Sequence, residues 1–403
     1  METYLPEDVG MSSERLARIS PIMEQFVKGN QMPGIMTLVQ RKGKVVHLGK
    51  YGMMDIEAGK PMQEDALFRI YSMTKPIVSV ALMMLYEEGR FSLNDPVSKF
   101  IPAFSKTKVY AGATPLGPKL VDQESVITLY HMLTHTAGLS YGWFFDSPVE
   151  DLYREILPNI FLRNQTLEEV VDRITELPLV FQPGTQWRYS YATDVLGHVV
   201  QVVADMPLAD FLEERIFRPL DMTDTAFHVP AEKLDRLAQV YTSEGLYNPM
   251  IPKPDEVALI GDVTVPTKCP SSGAGLVSTL RDYLNFSNCL INNGQYEGER
   301  LLGRKTLEWM TSNHIPRQLR PLKLGTWELD FGIGFGFRVV TSLGEAKSLT
   351  SLGEYGWAGA AQTYFWIDPV EEFIGLFMTQ YLPAEEYPVQ ERFKNLAYQA
   401  IAD

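Results

Sequence analysis

Cysteine is scarce in this sequence of 403 residues, which contains only Cys269 and Cys289. Two cysteines are too few for the disulfide framework that holds many secreted domains together. Long apolar runs are absent as well, since no stretch approaches the ~20 consecutive apolar residues that a membrane-spanning helix requires. Residues 1–8 are acidic and lack the apolar stretch of a secretory signal. We therefore expect a cytoplasmic protein with unpaired thiols and without a membrane segment.

An excess of positive charge is also lacking. Lysine and arginine total 36 against 50 aspartates and glutamates, so the formal net charge is -14. A chain this acidic is not expected to bind nucleic acid or an anionic membrane surface. Hydrophobic residues make up 45% of the chain and charged residues 21%, which is ordinary for a globular protein. At this length the chain can bury a large core, in one large domain or two closely associated ones.

A serine and a lysine three residues apart form the strongest local pattern, within residues 71–76. An apolar, helix-compatible run follows at 77–86, and the Glu-Glu-Gly sequence at 87–89 is a common way for a helix to end. Because proline is tolerated in the first turn of a helix, we expect Ser72 and Lys75 to lie at a helix N-terminus and to share one face.

This Ser-x-x-Lys spacing is typical of serine acyl-transfer enzymes in which lysine replaces histidine as the base. A lysine amine accepts a proton only when it is uncharged, so Lys75 must be desolvated or lie near another cation. The apolar run that follows makes such burial plausible. Taken alone, however, the tetrapeptide arises often by chance and favours an N-cap serine beside a solvated lysine.

Helix and strand patterns along the chain predict an α/β (α+β) fold with an antiparallel sheet. A capped helix at 12–27 precedes a hairpin formed by residues 34–40 and 44–49, and strand patterns return only near the end of the chain. Further predicted elements are helices at 166–174, 275–292 and 389–401, strands at 334–340, 362–367 and 373–380, and a glycine-rich turn at 353–359.

The distribution of these patterns predicts two domains. The ends of the chain, residues 1–85 and 225–403, are expected to build a discontinuous sheet domain. Residues 86–224 show helical patches and loops with few strand signals, so we expect them to form an inserted, mostly helical domain. The active site is expected at the interface between the two.

Tyr189 is a candidate for proton transfer. It follows a Pro-Gly turn at 183–184 and precedes an apolar helical pattern at 195–200. A phenol can relay a proton between serine, lysine and a leaving group if a nearby ammonium stabilises its charged form. The alternative is that Tyr189, one of 19 tyrosines, only packs at the start of a helix.

Five stretches occur in an order that is far more specific than any one of them: Ser72-x-x-Lys75, Leu133-Thr134-His135-Thr136-Ala137-Gly138-Leu139, Pro183-Gly184 leading to Tyr189-Ser190, Gly275-Leu276-Val277-Ser278-Thr279, and Trp357-Ala358-Gly359. Together they resemble the serine β-lactamase-like family. Within it the chain is most similar to the family VIII carboxylesterases, relatives of class C β-lactamases and D-alanyl-D-alanine carboxypeptidases. The resemblance implies a β-lactamase/transpeptidase-like fold, with an antiparallel sheet flanked by helices and an inserted helical domain.

The resemblance also implies a role for each matched residue. Ser72 would be the nucleophile, Lys75 would accept its proton, and Tyr189 would complete the acid/base pair. Backbone N–H groups of Ser72 and Ala360 would form the oxyanion hole, where losing one donor typically costs about 3 kcal/mol. No metal and no cofactor is expected. The residues expected to line the substrate site are Tyr141, Trp143, Tyr191, Trp357 and Gly359.

Two residues depart from the pattern of β-lactamases and carboxypeptidases. Those enzymes carry Tyr-x-Asn, whereas position 191 is tyrosine here, so a side-chain amide that binds the acylamino group is missing. Their third motif begins with Lys or His, which attracts a carboxylate, whereas Trp357 stands here. A site without both groups should disfavour anionic peptides and β-lactams and prefer neutral, apolar esters. Aromatic residues at 141 and 143–145 are expected to form a bulky, apolar mouth.

A second serine motif competes with the first. Residues 138–142 match Gly-x-Ser-x-Gly, the nucleophile motif of α/β hydrolases. That motif needs a buried strand before it and a helix after it, whereas residues 127–135 pattern as a helix and aromatic residues follow. We therefore expect Ser140 to line the pocket mouth rather than to act as the nucleophile.

Two further motifs are incomplete. His131 and His135 are spaced as metal ligands on one helical face, but no glutamate follows His131, so the zinc signature fails. We expect both histidines to be packed or hydrogen-bonded. Residues 332–337 are not a dinucleotide fingerprint, because the last position is Phe337 and no helix follows, and they alternate as a strand does.

The sequence thus predicts a serine carboxylesterase that hydrolyses short-chain, neutral esters through an acyl-enzyme on Ser72, with a small-molecule ester as its partner. A β-lactamase or D-amino-acid peptidase or amidase is the nearest alternative. An acyltransferase would result if an alcohol or amine captured the acyl group instead of water. A penicillin-binding sensor or interaction module, acylated without release, is an alternative of another class.

Overall fold

The computed structural model describes residues 1–115, 117–156, 165–243, 250–252, 260–382 and 386–403. In these ranges the strands are β1 (Gly34–Arg41), β2 (Lys44–Asp55), β3 (Lys60–Pro61), β4 (Phe68–Arg69), β5 (Val109–Thr114), β6 (Gly117–Val121), β7 (Tyr241–Thr242), β8 (Ile251–Pro252), β9 (Val277–Ser278), β10 (Gln295–Tyr296), β11 (Glu299–Arg300), β12 (Leu322–Leu324), β13 (Trp327–Leu329), β14 (Gly332–Ile333), β15 (Arg338–Val339), β16 (Tyr355–Ala358), β17 (Tyr364–Asp368), β18 (Phe373–Met378) and β19 (Tyr381–Leu382). The α-helices are α1 (Ser13–Leu16), α2 (Ile19–Lys28), α3 (Thr74–Glu87), α4 (Leu129–Leu133), α5 (Pro148–Ile156), α6 (Leu167–Glu176), α7 (Ala192–Ala204), α8 (Leu208–Leu212), α9 (Leu280–Ile291), α10 (Arg304–Met310) and α11 (Val389–Tyr398).

Eight strands form the central sheet, in the order β14-β15-β16-β17-β18-β1-β2-β3, and every neighbouring pair is antiparallel. Strand β1 is buried at all eight positions, because helices cover both faces of the sheet. Met36 and Leu38 belong to the hydrophobic cluster that contains α3 and α9. Ile35 and Val39 belong to the cluster that contains α2 and α11. This alternation follows from the two-residue period of a strand, and it confirms the predicted antiparallel sheet flanked by helices.

Side-chain caps explain where several helices begin. The Ser12 side chain accepts a hydrogen bond from the Arg15 N–H and caps α1, as the sequence predicts. Thr166 and Glu169 form a reciprocal capping box at the start of α6. These contacts confirm the predicted helices at the N-terminus and at 166–174, and α11 confirms the predicted C-terminal helix.

The predicted start of the helix at 275 is wrong. The helix α9 begins at Leu280, where the Thr279 side chain caps it by accepting from the Asp282 N–H. The residues before the cap form β9, which pairs with β4 next to Ser72 in the chain. An apolar run cannot by itself distinguish a short buried strand from the first turn of a helix.

Two sheet predictions near the C-terminus are also wrong. The strand predicted at 334–340 is interrupted, because Gly336 adopts φ +85° and separates β14 from β15. The glycine-rich turn predicted at 353–359 is mostly strand β16, and Trp357 lies on that strand. Glycine there permits close packing rather than a turn: a Cβ on Gly356 would lie 2.1 Å from Phe365 O on the neighbouring strand.

The middle of the chain contains a hairpin that the sequence patterns missed. Strands β5 and β6 pair antiparallel, and most of their residues are exposed or only partly buried. A hairpin without a buried face has no apolar alternation, which is the signal that predicts strands. Helices α4 to α8 also lie in residues 86–224, and the division of the chain into two domains stays a prediction.

No single helix in the described ranges is both long enough and apolar enough to span a membrane. One pair of helices, Ala192–Ala204 and Leu208–Phe217, meets those criteria only when the two are taken together across an 81° bend.

A buried ionic cluster attaches helix α11 to the sheet. The Glu354 carboxylate, completely buried just before β16, accepts hydrogen bonds from Arg338 and Lys394, both at 2.8 Å. Its second oxygen lies 2.7 Å from the Tyr398 hydroxyl, and Asp368 Oδ2 lies 2.8 Å from the same hydroxyl, so the two carboxylates share one donor. Burial raises the pKa of Glu354, but the two cations outweigh that effect and hold it below its usual value. The carboxylate is therefore charged and compensated.

Replacing Glu354 with glutamine is expected to lower the free energy of unfolding by about 3–5 kcal/mol, because Arg338 and Lys394 would lose their buried counter-charge. Urea unfolding followed by circular dichroism measures the change. The control is Glu308→Gln, which removes an exposed carboxylate paired with Lys305 and should leave stability nearly unchanged. Equal effects of the two substitutions would contradict a stabilising role of the buried cluster.

Candidate active site

Ser72 lies in a short 3-10 turn that leads directly into α3. The strand before it is held by Gln380, which donates to Arg69 O at 3.0 Å and accepts from the Arg69 N–H at 3.1 Å. Tyr71 adopts φ +42°, a left-handed conformation that is rare for residues other than glycine and persists only where its surroundings enforce it. Residues 74–85 of α3 are all buried. The Ser-x-x-Lys motif thus begins a helix that lies inside the protein.

Ser72, Lys75 and Tyr189, the three predicted catalytic residues, converge on one oxygen atom. The Lys75 ammonium donates to Ser72 Oγ at 3.1 Å, and the Tyr189 hydroxyl donates to the same atom at 2.9 Å. Ser72 and Tyr189 are 117 residues apart in the chain. The fold therefore brings together the hydroxyl, the amine and the phenol that were predicted from separate motifs.

Lys75 is almost completely buried, with 1% of its surface exposed. Its ammonium donates a second hydrogen bond to Gly273 O at 2.6 Å. The Nζ atom lies 4.7 Å from the ring centroid of Tyr189 and 5.6 Å from that of Tyr141. A carbonyl, a hydroxyl and two aromatic rings thus surround the amine, which is the arrangement needed to hold a lysine out of water.

A buried carboxylate that the sequence analysis missed lies behind this amine. Asp194, in the first turn of α7, accepts hydrogen bonds from the Ser271 hydroxyl and the Gly273 N–H, both at 3.0 Å. Burial raises the pKa of Asp194, and the nearby Lys75 together with these hydrogen bonds partly offsets the rise. Asp194 thereby holds the segment whose carbonyl accepts from Lys75. The available signal was a lone aspartate within the apolar pattern that follows Tyr189.

The turn after β16 packs against the backbone that precedes the serine. A Cβ on Gly359 would lie 2.5 Å from Ile70 O and 2.1 Å from Thr363 Oγ1, so only glycine permits this approach. Ala360 is the next residue, so it lies near the start of the turn that carries Ser72. In the part of the chain that the structure describes, neither the Ser72 N–H nor the Ala360 N–H donates to another backbone group. Two such amides are what an oxyanion hole requires.

Aromatic rings surround the Tyr189 phenol. Its ring centroid lies 5.2 Å from that of Tyr141 and 5.9 Å from that of Trp357. Trp143 is 49% exposed and stacks on Tyr141, with centroids 5.4 Å apart and planes inclined by 11°. These rings give the site an apolar wall with one face open to solvent. Further rings at 5.0, 6.2 and 6.4 Å from Tyr189 belong to His135, Phe144 and Trp187.

Tyr191, which was expected to line the substrate site, lies behind it instead. Its side chain is buried, with its ring centroid 4.4 Å from that of Tyr141 and 6.3 Å from that of Trp143. Burial raises the pKa of its hydroxyl. Because Tyr191 is the N-cap residue of α7 and residues 192–200 of that helix are buried, its ring enters the core with the helix. Tyr191 therefore supports the ring of Tyr141.

Ser140 does not line the pocket mouth, contrary to the sequence analysis. It is buried, and its hydroxyl donates to Glu150 Oε2 at 2.5 Å. Glu150 Oε1 accepts in turn from Arg188 at 2.8 Å. A short helix and a loop precede Ser140, so the strand required by the α/β-hydrolase motif is missing. Its hydroxyl joins the buried ionic contact between Glu150 and Arg188.

The two histidines make hydrogen bonds within the fold. His131 Nδ1 accepts from the Thr128 N–H at 3.3 Å and completes the cap of α4. His135 Nδ1 lies 3.3 Å from the Ser190 hydroxyl. Burial, with a smaller contribution from Lys75, lowers the pKa of His135 to about 3, so its ring is neutral. Among the described residues no group of three or more His, Cys, Asp or Glu side chains could hold a metal ion.

Replacing Gly273 with alanine is expected to slow hydrolysis of p-nitrophenyl butyrate about 10- to 100-fold. The new Cβ would lie 2.5 Å from Asp194 Oδ2, so the segment must shift and withdraw its carbonyl from Lys75. A hydrogen bond to a charged group contributes about 1.5–3 kcal/mol, which corresponds to that range of rates. The control is Gly344→Ala, where a Cβ meets no atom within 4 Å. Equal rates for both variants would show that this carbonyl has no influence on Lys75.

Comparisons with known proteins identify the family of this chain. The Beta-lactamase family model matches residues 19–399. Protein Rv1367c of Mycobacterium tuberculosis is 33% identical over 365 residues, which cover 87% of this chain and 86% of that protein. Esterase EstB of Burkholderia gladioli is 33% identical over 299 residues, covering 71% of this chain and 72% of the esterase.

A solved structure shows the same architecture. EstCE1, described as a hydrolase with promiscuous acyltransferase activity, superposes with a TM-score of 0.79 at 25% identity and covers 97% of this chain and 99% of its own. The family model matches nearly the whole chain, and two relatives are one third identical to it over more than two thirds of its length. These matches establish that this protein belongs to the beta-lactamase family and is a serine hydrolase.

Proposed function

We propose that this protein is a carboxylesterase that hydrolyses short-chain, neutral esters through an acyl-enzyme on Ser72. The convergence of Lys75 and Tyr189 on Ser72 Oγ, at 3.1 and 2.9 Å, carries the proposal. A serine hydroxyl becomes an effective nucleophile when a base lies within hydrogen-bond reach, and two candidates lie there. The similarity to esterase EstB and the motif resemblance to family VIII carboxylesterases support the same activity.

In the proposed reaction the Lys75 ammonium first releases a proton to solvent, and the free amine, assisted by Tyr189, takes the Ser72 proton as Ser72 Oγ bonds to the ester carbonyl carbon. The N–H groups of Ser72 and Ala360 stabilise the negative charge on the former carbonyl oxygen. Tyr189 donates its proton to the leaving alcohol as the C–O bond breaks, and it recovers a proton from Lys75. Water then attacks the acyl-enzyme by the same steps in reverse, which releases the carboxylic acid and restores the Ser72 hydroxyl.

The walls of the site favour neutral substrates. Trp357 stands where β-lactamases carry the cation that attracts a carboxylate, and its ring adjoins Tyr189. Arg188, next to Tyr189 in the chain, is paired with Glu150 at 2.8 Å, which neutralises its charge. An anionic substrate would have to leave water for an aromatic wall without a compensating cation, which is unfavourable. Apolar esters gain binding energy from the same wall.

Acyl transfer to an alcohol is a second candidate function. EstCE1, a hydrolase with promiscuous acyltransferase activity according to its description, is 25% identical across 97% of this chain. The chemistry differs only in the acceptor, because an alcohol replaces water in the second half of the reaction. The aromatic rings around Tyr189 provide apolar surroundings in which an alcohol competes with water for the acyl-enzyme.

Replacing Ser72 with alanine is expected to lower steady-state hydrolysis of p-nitrophenyl butyrate at least about 1,000-fold, because the nucleophile is lost. Ser140→Ala, which removes the other motif serine, should stay within about tenfold of the wild type, because its hydroxyl contacts Glu150. Circular dichroism shows whether each variant is folded. An active Ser72→Ala protein together with an inactive Ser140→Ala protein would refute the proposed site. Faster turnover of nitrocefin than of the ester by the wild type would refute the preference for neutral esters.

Adding 1-butanol to the p-nitrophenyl butyrate reaction is expected to produce butyl butyrate alongside butyric acid. Gas chromatography measures the partition, and Ser72→Ala is the control that should form neither product above background. The acyltransferase candidate would be contradicted if butyric acid were the sole acyl product even at high 1-butanol concentration, while p-nitrophenol is still released. It would leave the esterase proposal intact.

A further inference from the structure

Two elements outside the central sheet meet across the mouth of the site. The first is the loop of residues 141–146, and the second is the hairpin of β12 and β13, residues 322–329, whose turn contains Gly325. The turn is pressed against the loop, since a Cβ on Gly325 would lie 2.9 Å from Phe144 O. We call this contact and the two elements that make it the mouth bridge.

We propose that the mouth bridge limits the size of the alcohol portion of the ester, and that Gly325 is the residue that determines this specificity. The inference rests on the proposed esterase function, and it extends that function by defining one half of the substrate. Four observations carry it: a ring of contacts around Tyr189, the direction in which the leaving group must depart, a fixed loop and a displaceable hairpin.

The contacts form a ring beside Tyr189. The Phe144 side chain lies with its ring centroid 6.2 Å from that of Tyr189, and the Phe144 carbonyl meets Gly325. From the hairpin, Leu322 belongs to the hydrophobic cluster that contains Trp187, and both Leu329 and Tyr189 pack against that cluster. The loop and the hairpin, which meet at Gly325, therefore both lie next to Tyr189 and bound the space beside it.

The chemistry of the reaction identifies which part of the ester faces this ring. Tyr189 must place its proton on the oxygen of the leaving alcohol, so that oxygen has to lie within hydrogen-bond distance of the Tyr189 hydroxyl. The carbon chain attached to this oxygen then extends among the groups around Tyr189, namely Phe144 and the cluster under the hairpin. The acyl portion is bonded to Ser72 and is oriented by the N–H groups of Ser72 and Ala360, on the side of β16. The mouth bridge therefore bounds the alcohol and not the acyl group.

The loop half of the bridge is held in place by two arginines. Arg154 donates to Gly142 O at 2.5 Å and to Phe145 O at 3.1 Å. The Arg188 guanidinium lies 3.5 Å from the ring centroid of Phe145 and is paired with the buried Glu150. The backbone is therefore held at Gly142 and Phe145, on both sides of Phe144. A new side chain at Gly325 would not easily displace this loop.

The hairpin half has fewer contacts that hold its tip. Its base is anchored by Leu322, which is buried in the cluster around Trp187. Among the described strands, β12 and β13 pair with each other and with no other strand, and residues 326–328 are exposed. A side chain added at Gly325 would therefore displace the turn of the hairpin from the loop and widen the space beside Tyr189.

The experiment compares three esters that separate the two halves of the substrate: ethyl butyrate, hexyl butyrate with a longer alcohol, and ethyl octanoate with a longer acyl group. Acid release in a pH-stat gives kcat/KM for each. In Gly325→Ala the ratio of hexyl butyrate to ethyl butyrate is expected to rise about tenfold over the wild-type ratio, the order expected when one steric contact is relieved. The ratio of ethyl octanoate to ethyl butyrate should not change.

The matched control is Gly59→Ala. Gly59 and Gly325 have nearly the same backbone angle, φ +63° and +62°, so alanine strains both positions equally. A Cβ on Gly59 would meet no atom of the described residues within 4 Å, so this variant should leave both ratios at their wild-type values. A second variant, Phe144→Ala, widens the same space without changing a glycine and should also favour hexyl butyrate. If circular dichroism shows that Gly325→Ala does not fold, Phe144→Ala tests the inference in its place.

Two results would overturn the inference. The first is a folded Gly325→Ala or Phe144→Ala protein with both ratios unchanged, which would show that the mouth bridge does not bound the substrate. The second is a rise in the ethyl octanoate ratio instead, which would place the bridge on the acyl side. A wild-type protein that hydrolyses none of the three esters would refute the esterase proposal itself, and this outcome is distinct from either of the other two.

Discussion

Burial of the Lys75 ammonium group is the constraint on which the rest of the site depends. A charged amine inside a protein costs several kcal/mol unless polar groups surround it. Here Gly273 O accepts from it at 2.6 Å and Ser72 Oγ at 3.1 Å. Asp194 holds the first of these acceptors, and the strained turn before α3 holds the second. The contacts that compensate a buried charge are therefore the same contacts that align the serine.

The aromatic rings around Tyr189 add a second constraint. They partly shield the hydrogen bond between Tyr189 and Ser72 from water, and electrostatic interactions are stronger where contact with water is reduced. In the proposed function the same rings offer apolar surface where a β-lactamase offers a cation. Arg188 could have supplied that charge, but Glu150 neutralises it, and its guanidinium lies against Phe145. Arg188 thus supports a loop, and its charge is already compensated by Glu150.

Strand β16 connects the stability of the fold to the site. Glu354 lies just before the strand, where Arg338 from β15 and Lys394 from α11 bind its carboxylate. Gly359 lies just after the strand and packs against the backbone that precedes the serine turn. The C-terminal helix therefore fixes one end of a strand whose other end leads to Ala360. The hairpin β5–β6, which no pattern predicted, lies outside this arrangement and has no buried face.

The antiparallel sheet with flanking helices and the motif residues Ser72 and Lys75 could be predicted from the sequence, because periodicity, caps and a three-residue spacing are local properties. The directions of other side chains became clear only from the three-dimensional structure. Tyr191 enters the core, Ser140 binds Glu150, and Asp194 lies behind the amine, and the sequence analysis anticipated none of these three positions. Their directions depend on contacts with distant parts of the chain, and local periodicity carries no information about those contacts.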